Sequence, residues 1–295
     1  MNFQQLEYIV ALEKHKNFVA AAAACFVSQP TLSMMVKKLE EELEIVIVRR
    51  GVHPLEFTEE GMSLLNQAKR ILAEQQLMRE LSKELTKGIE GQIRISVIPS
   101  LATTVIPSFI QNIEKSSYAL KVSIVELPTE RALIALQQGD IDIAILATDS
   151  DPQVFSCYPV YEEEFVAYVS PLEKMPKRKF IQSKHITSEN LWFLSEEHCF
   201  REQALEVCSF KKKKKSKVTY DAGSLQTLIR LVDENGGITL LPAASIQFLS
   251  TKQRANVREF APPVPMRLVQ LTTLQDYPRK KVVEFLLEAL KPSLS

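Results

Sequence analysis

The chain has 295 residues, 45% of them hydrophobic, and its 36 Lys and Arg balance its 36 Asp and Glu to a net charge of zero. That length supports two or more domains with cores of their own, and the neutral balance argues against a protein that coats nucleic acid indiscriminately. No run of about 18 apolar residues is present to span a bilayer and the N-terminus lacks the pattern of a signal peptide, so a cytoplasmic protein off the membrane is expected, in which the four cysteines are not structural disulfides.

The first distinctive stretch is 18–43, FVAAAAACFVSQPTLSMMVKKLEEEL. It reads as an alanine-packed helix, a tight polar turn and a second helix that Ser28 caps and into whose first turn Pro30 fits. Leu32, Val36, Leu39 and Leu43 recur at helical spacing on one face. Pro30, Ser33, Met34, Lys37 and Lys38 fall on the opposite face, with Gln29 and Thr31 at its flanks. This is the pattern of a helix-turn-helix, and those side chains are the ones to enter a major groove, with Ser28 at the helix start also expected to meet the DNA. Two antiparallel helices in an ordinary core would share the periodicity. The residues after the second helix favour the DNA reading: a β-branched run Ile45 to Val48, then Arg49 and Arg50, a turn through Gly51 and Pro54, and the extended piece Leu55 to Phe57. That is a wing with two arginines placed to grip phosphate. Residues 1–60 carry six Lys/Arg against nine Asp/Glu, so the cations must act locally and binding should be salt-sensitive.

Thr58 caps a helix expected to run from about Glu59 to Thr86. Leu64, Ile71, Met78 and Leu85 recur every seven residues, broadened by Leu65, Leu72, Leu77 and Leu81. Such a stripe suits pairing with a copy of itself, as a helix-turn-helix reading a two-fold site requires, with packing on its own chain as the competing explanation. Lys87 to Gly91 reads as a linker. Beyond it strands and helices alternate: Gln92 to Ile98, a helix over Thr104 to Lys115, Leu120 to Glu126, a helix over Thr129 to Gln138, and Ile141 to Ala147. A second set comprises Phe165 to Val169, Leu191 to Leu194, Lys217 to Tyr220, a helix capped by Ser224, Gly237 to Leu241, Arg267 to Thr273 and a closing helix Lys280 to Leu290. Alternation implies a parallel sheet flanked by helices, and two lobes leave a cleft that polar residues at strand-to-helix junctions tend to face. Ser100, Thr129 and Ser224 occupy such junctions, where helix capping alone would also account for them.

The motif FVAAAAACFVSQPTLS, the KLEEEL after it and Gly61 in FTEEG resemble LysR-type transcriptional regulators, and the resemblance covers nearly the whole chain. In the C-terminal half, EEHCFREQALEVC and GSLQTLIRLVDENGGITLLPA are similar to the hydrogen-peroxide sensors of that family. The resemblance implies an α/β fold class in three parts. A winged helix-turn-helix covers residues 1–58 and a long linker and dimerisation helix covers 59–87. Residues 88–295 form a two-lobed, periplasmic-binding-protein-like sensor domain. It further implies that hydrogen peroxide oxidises Cys199, which Cys208 then traps as a disulfide. Ser100 and Thr129 would hold the peroxide or a water, His198 would exchange a proton, and Arg267 would assist O–O cleavage. The partners implied are double-stranded promoter DNA, a homodimer assembling to a homotetramer, and RNA polymerase, with the protein acting as an activator and not as an enzyme, without cofactor or metal. Departures from the family pattern are Glu44 in place of a glycine, Met34 at a position often polar or small, the paired wing arginines, Glu202 for an aspartate, Ser100 for a threonine and the lysine run 211–215.

A thiol meets peroxide as its thiolate and so needs a cationic or helix-N-terminal setting. Cys199, with His198 and Arg201 beside it, satisfies this on sequence. Nine positions of continuous helix rise about 13 Å, whereas bridged cysteines need Cα atoms within about 7 Å. A Cys199–Cys208 bond therefore demands that the segment between them refold, which makes it a switch. Cys25 and Cys157 read as packing residues. The alternatives are a regulator of the same family that binds a small metabolite in the cleft, a thiol peroxidase, and a periplasmic solute-binding protein; the N-terminal winged domain opposes the last two. The histidines at 15, 53, 185 and 198 show no metal-ligand spacing.

Overall fold

The computed structural model describes residues 1–52, 54–173, 180–182, 186, 191–192 and 223–291. The chain divides into two compact units, Met1–Glu90 with Ala135–Ile141, and Gly91–Ile134 with Asp142–Ser295.

In the first unit, helix α1 (Phe3–His15) starts with a reciprocal cap in which Asn2 and Gln5 exchange side-chain and backbone hydrogen bonds. Next come α2 (Phe18–Ala24), capped by Asn17, and α3 (Gln29–Leu43), capped by Ser28. The bend between α2 and α3 is 100°, within the range of helix-turn-helix units. Leu6, Ile9, Leu12, Ala21, Ala22, Leu32, Val36 and Leu39 form the core, all at or below 5% exposure. Alanine at two of these positions lets three helices approach closely, and each buried leucine or isoleucine contributes about 1.5–3 kcal/mol. The chain leaves α2 through a left-handed residue, Phe26, at φ 56°. Its amide donates to the Ala23 carbonyl and that of Val27 to Ala22, the hydrogen-bond pair that ends many helices.

The wing is smaller than the sequence suggests. Strands β1 (Val48–Arg49) and β2 (Glu56–Phe57) pair antiparallel over two residues each, because the amides just ahead are taken by a side chain. Glu40 Oε1 accepts from the backbone N–H groups of Ile47 and Val48 at 2.8 and 3.2 Å. The long helix α4 (Glu59–Lys87) comes next, capped by Thr58. A Cβ at Gly61 would collide with the Ile47 carbonyl, so glycine is what allows the first turn of α4 to lie against the wing.

The rest of the chain holds β3 (Glu90–Val97), α5 (Pro99–Glu114), β4 (Ala119–Glu126), α6 (Thr129–Gln138, whose last four residues fall in the first unit), β5 (Ile143–Leu146), β6 (Phe155–Val169) and β7 (Phe180–Ile181). It continues with α7 (Leu225–Asn235), β8 (Ile238–Pro242), a 3-10 turn Ala243–Phe248, α8 (Thr251–Arg254), β9 (Val257–Phe260), β10 (Met266–Leu274) and α9 (Lys280–Leu290). The strand order is β4-β3-β5-β10-β6-β9-β7, with β8 also paired to β6.

The sheet is mixed, which corrects the parallel sheet expected from alternation. β3 runs parallel to β5 and β7 to β9, but β10 is antiparallel to β5 and to β6, and β6 is antiparallel to β8 and β9. The cause is β6. Its Phe155–Glu164 stretch pairs with β10 and its last residues pair with β8 and β9, so two long strands join one lobe to the other. Only Phe165 to Val169 of β6 was legible as strand, because three consecutive glutamates interrupt its alternation. Helix α5 likewise starts five residues before the expected Thr104, with Pro99 in its first turn. The expected strand Leu191 to Leu194 is described only at Leu191, which bridges Ile238, and at Trp192, and Lys217 to Tyr220 lies outside the described residues. The core of the second lobe gathers Phe165, Tyr168, Leu228, Val232, Ile238, Leu240 and Phe260.

Within that core the Tyr168 hydroxyl donates to Asp233 Oδ1 at 2.5 Å and accepts from Asn256 Nδ2 at 3.4 Å, while Gln253 Nε2 holds Asp233 Oδ2 at 3.0 Å. Burial first, and the bond to the carboxylate second, push the Tyr168 phenol up to about 12. A phenol whose folded pKa lies above its free value of about 10 stabilises the fold below that value and loses the contribution as pH climbs to the folded one. Tyr168→Phe is expected to cost about 1–2 kcal/mol near neutrality. Urea unfolding at a series of pH values should show the gap between parent and variant closing from pH 10 to about 12.

Candidate functional site

Two sets of functional side chains stand out, one in each unit. In the first, α3 presents Gln29, Pro30, Thr31, Met34, Lys37 and Lys38 to solvent, with Ser33 half-buried, as the helical periodicity predicts. Ser28 caps the helix: its Oγ accepts from the Thr31 amide and bonds the Thr31 hydroxyl at 2.8 Å. The cations are largely engaged within the domain. Lys37 lies 3.4 Å from Glu41, Arg49 3.9 Å from Glu56 and Arg50 3.1 Å from Glu40, whereas Lys38 makes no ion pair among the described residues. Arg50 and Glu40 thus share a clamp, since the carboxylate that holds Arg50 also ties down the wing amides.

In the second unit, Ser100 is the second residue of α5 and is buried. Arg267, on β10, donates from Nη1 to Ser100 Oγ at 2.9 Å and from Nη2 to the Ser100 carbonyl at 3.4 Å. Its Nε donates to Glu163 Oε2 at 2.7 Å and its Nη2 approaches the same oxygen at 2.5 Å. Glu163 sits directly across from Arg267 in the β6–β10 register, so both side chains project from one face. The guanidinium also lies 5.6 Å from the Phe165 ring centroid, a cation–π contact. With Arg267 donating to its oxygen, the Ser100 hydroxyl keeps its own proton for another acceptor.

Thr129 opens α6 and is buried. The Leu127 amide donates to the Val97 carbonyl at 3.1 Å, so the segments leading to Ser100 and Thr129 leave neighbouring strands together. Among the described residues, Thr129 Oγ1 and Glu163 Oε1 are buried without a hydrogen-bond partner. Unpaired buried polar atoms are uncommon and mark places where a small polar guest gains the most. Tyr161, on the same face of β6 as Glu163, has its phenol pushed up, by burial first and by the Glu163 charge second, with Arg267 opposing. The structure therefore brings Ser100 and Arg267 into contact and buries Thr129. His198, Cys199 and Cys208 lie outside the described residues.

Sequence reasoning missed Glu163 and Phe165. The signal was the period of two through Tyr161, Glu163 and Phe165, which puts an acid among aromatics on a buried face and so demands a cation opposite.

Comparison with known proteins gives this arrangement a family. Residues 3–62 match the model for bacterial regulatory helix-turn-helix proteins of the lysR family, and residues 86–295 match the LysR substrate binding domain. The chain belongs to the LysR family of DNA-binding transcription regulators, which act at promoters. It is 32% identical over 271 residues to the hydrogen peroxide-inducible genes activator of Haemophilus influenzae, covering 92% of this chain and 90% of that one. It is 30% identical to the DNA-binding transcriptional dual regulator OxyR of Escherichia coli K12, covering 99% of this chain and 95% of that one. Among solved structures, full-length OxyR of Pseudomonas aeruginosa with a cysteine-to-aspartate substitution superposes with a TM-score of 0.79 at 28% identity, covering 98% of this chain and 94% of that chain.

These geometries have two measurable consequences. Removing one partner of a buried ion pair typically costs about 3–5 kcal/mol, so Arg267→Ala should lower stability in urea unfolding by that amount. The apolar pair Arg267→Met with Glu163→Leu should recover most of it. On DNA, Lys38→Ala should flatten the slope of log affinity against log salt by about 0.9, the value for one released phosphate counterion, in fluorescence-anisotropy titrations over a range of salt.

Proposed function

We propose that this regulator senses hydrogen peroxide through Cys199 and switches its promoter complex when Cys208 closes a disulfide. The supporting observation is the end-to-end similarity to proteins named for peroxide induction, joined to the buried Ser100–Arg267 contact and the buried, unpartnered Thr129 hydroxyl. The chemistry balances without a cofactor. The Cys199 thiolate attacks one peroxide oxygen, the O–O bond breaks, and the departing hydroxide takes a proton to leave as water, giving a sulfenic acid. The Cys208 thiol then displaces the sulfenic oxygen as a second water and forms the disulfide, so two thiols are oxidised by two electrons while one peroxide is reduced.

Ser100 and Thr129 are suited to hold the peroxide, which both donates and accepts hydrogen bonds. Arg267 acts one step back: with its guanidinium committed to Glu163 and Ser100, it orients the serine hydroxyl and sets the local positive potential. His198 is assigned the proton exchange at the leaving oxygen.

The protein works in the cytoplasm as a dimer that assembles into a tetramer, and oxidation reorients its DNA-binding domains for contact with RNA polymerase. Among the described residues, no single helix is long and apolar enough to cross a membrane. The exposed Met78 and Leu85, one heptad apart on α4, supply apolar surface for pairing with a second copy. A small-molecule effector is the second reading, favoured by a cavity of 140 Å³ whose lining includes Thr103, Gln226, Arg230 and Phe248.

The decisive measurement is mass spectrometry of the purified protein after substoichiometric peroxide, with fluorescence of Trp192, the sole tryptophan, monitored in parallel. A linked Cys199–Cys208 peptide accompanied by a change in emission is expected, and both should vanish in Cys199→Ser. A Cys199→Ser protein that keeps its transcriptional response would instead establish the effector reading.

A further inference from the structure

The turn between α2 and α3 carries a side chain that neither the fold nor the peroxide chemistry uses. Phe26 is 96% exposed, although Cys25 and Val27 on either side pack against the helix-turn-helix core. It also occupies φ 56°, a left-handed conformation that crowds any Cβ and is ordinarily filled by glycine or asparagine. Hydrogen bonds from the Phe26 amide to Ala23 O at 3.2 Å and from the Val27 amide to Ala22 O at 3.0 Å hold that conformation. The backbone therefore turns the ring outward, and the fold bears both the strain and the exposed aromatic surface without a packing contact in return.

The position of Phe26 says what the ring is for. It lies two residues before the Ser28 cap, and Gln29, Pro30 and Thr31 at the start of the recognition helix are exposed as it is. In this motif the first helix crosses the phosphate backbone and the N-terminal residues of the second meet base edges, so the turn joining them stands at the rim of the major groove. The apolar feature that B-form DNA presents there is the C5 methyl of thymine, with which phenylalanine makes direct contact in other readers. We propose that Phe26 is a sequence-reading residue whose ring packs on a thymine methyl in each half-site. This rests on the assignment of the N-terminal domain to DNA binding.

The probe is a duplex enriched by the full-length parent protein from a random-sequence pool, with a scrambled duplex as control. Phe26→Asn and Phe26→Gly relieve the left-handed strain, so both should unfold at or above the parent temperature. Both should nonetheless bind the enriched duplex about 5- to 10-fold more weakly, with the scrambled duplex unaffected. Deoxyuridine in place of one thymine, in one half-site only, removes a single methyl. It should weaken the parent about fourfold, the effect of one buried methyl-sized group, and leave the variants unchanged. Stable variants with parental affinity for the enriched duplex, or variants that lose as much as the parent across the deoxyuridine series, overturn the inference whatever their effect on transcription. A parent that enriches no sequence overturns the DNA assignment, and the role of Phe26 with it.

Discussion

Arg267 carries a positive charge on a side chain with 0% exposure, and a charge so placed survives only beside a carboxylate that is itself fixed. Glu163 meets that need from the neighbouring strand, at the point where β6 is about to exchange β10 for β8 and β9. A slip of one residue between β6 and β10 would send every side chain to the opposite face, where Met266 and Leu268 now look outward. The ion pair therefore fixes the register of the strands that join the lobes, and through Ser100 it also fixes the first turn of α5. Hydroxyl orientation at the candidate peroxide site and lobe connectivity share one cause.

The DNA-binding unit solves a different electrostatic problem. Its first 60 residues hold more acids than bases, yet their partner is a polyanion. Exposed ion pairs such as Lys37–Glu41 and Arg49–Glu56 contribute about 0–1 kcal/mol each, so trading the carboxylate for a phosphate costs little. Glu40 differs, since its side chain is largely buried and it accepts two wing amides besides Arg50. That acid is a structural anchor, and the other acids are neighbours that phosphate can displace.

How much of this was legible depends on how local each signal is. The helix-turn-helix and the linker helix were readable because caps and apolar periodicity are encoded within a few residues: Ser28 ahead of Pro30, Thr58 ahead of Gly61. Ser100 and Thr129 stood out as hydroxyls at strand-to-helix junctions. Their electrostatic partner did not, because Glu162, Glu163 and Glu164 read in sequence as a solvated run. Only the pairing with β10, about a hundred residues away, distinguishes the buried middle member. The parallel sheet was wrongly expected for the same reason. Alternation of elements reports their order, whereas strand direction here is decided by two crossings between lobes that no local pattern announces.

The segment bearing both candidate redox cysteines starts and finishes on the same core. At one end Leu191 bridges Ile238, the Trp192 amide donates to the Ile238 carbonyl at 2.8 Å, and its indole N–H reaches the Gly236 carbonyl at 2.8 Å. At the other end Ser224 caps α7, whose Leu225, Leu228 and Val232 are buried with Ile238 and Leu240. A bond between Cys199 and Cys208 would shorten the chain between these anchors. The Trp192 end is held by sheet pairing and an indole hydrogen bond. The Ser224 end is held by its cap and by the buried Leu225, Leu228 and Val232, while α7 keeps Gln226 and Arg230 in solvent. Both ends bear on one core, so a change in the length of chain between them would be felt at Ile238 from either side.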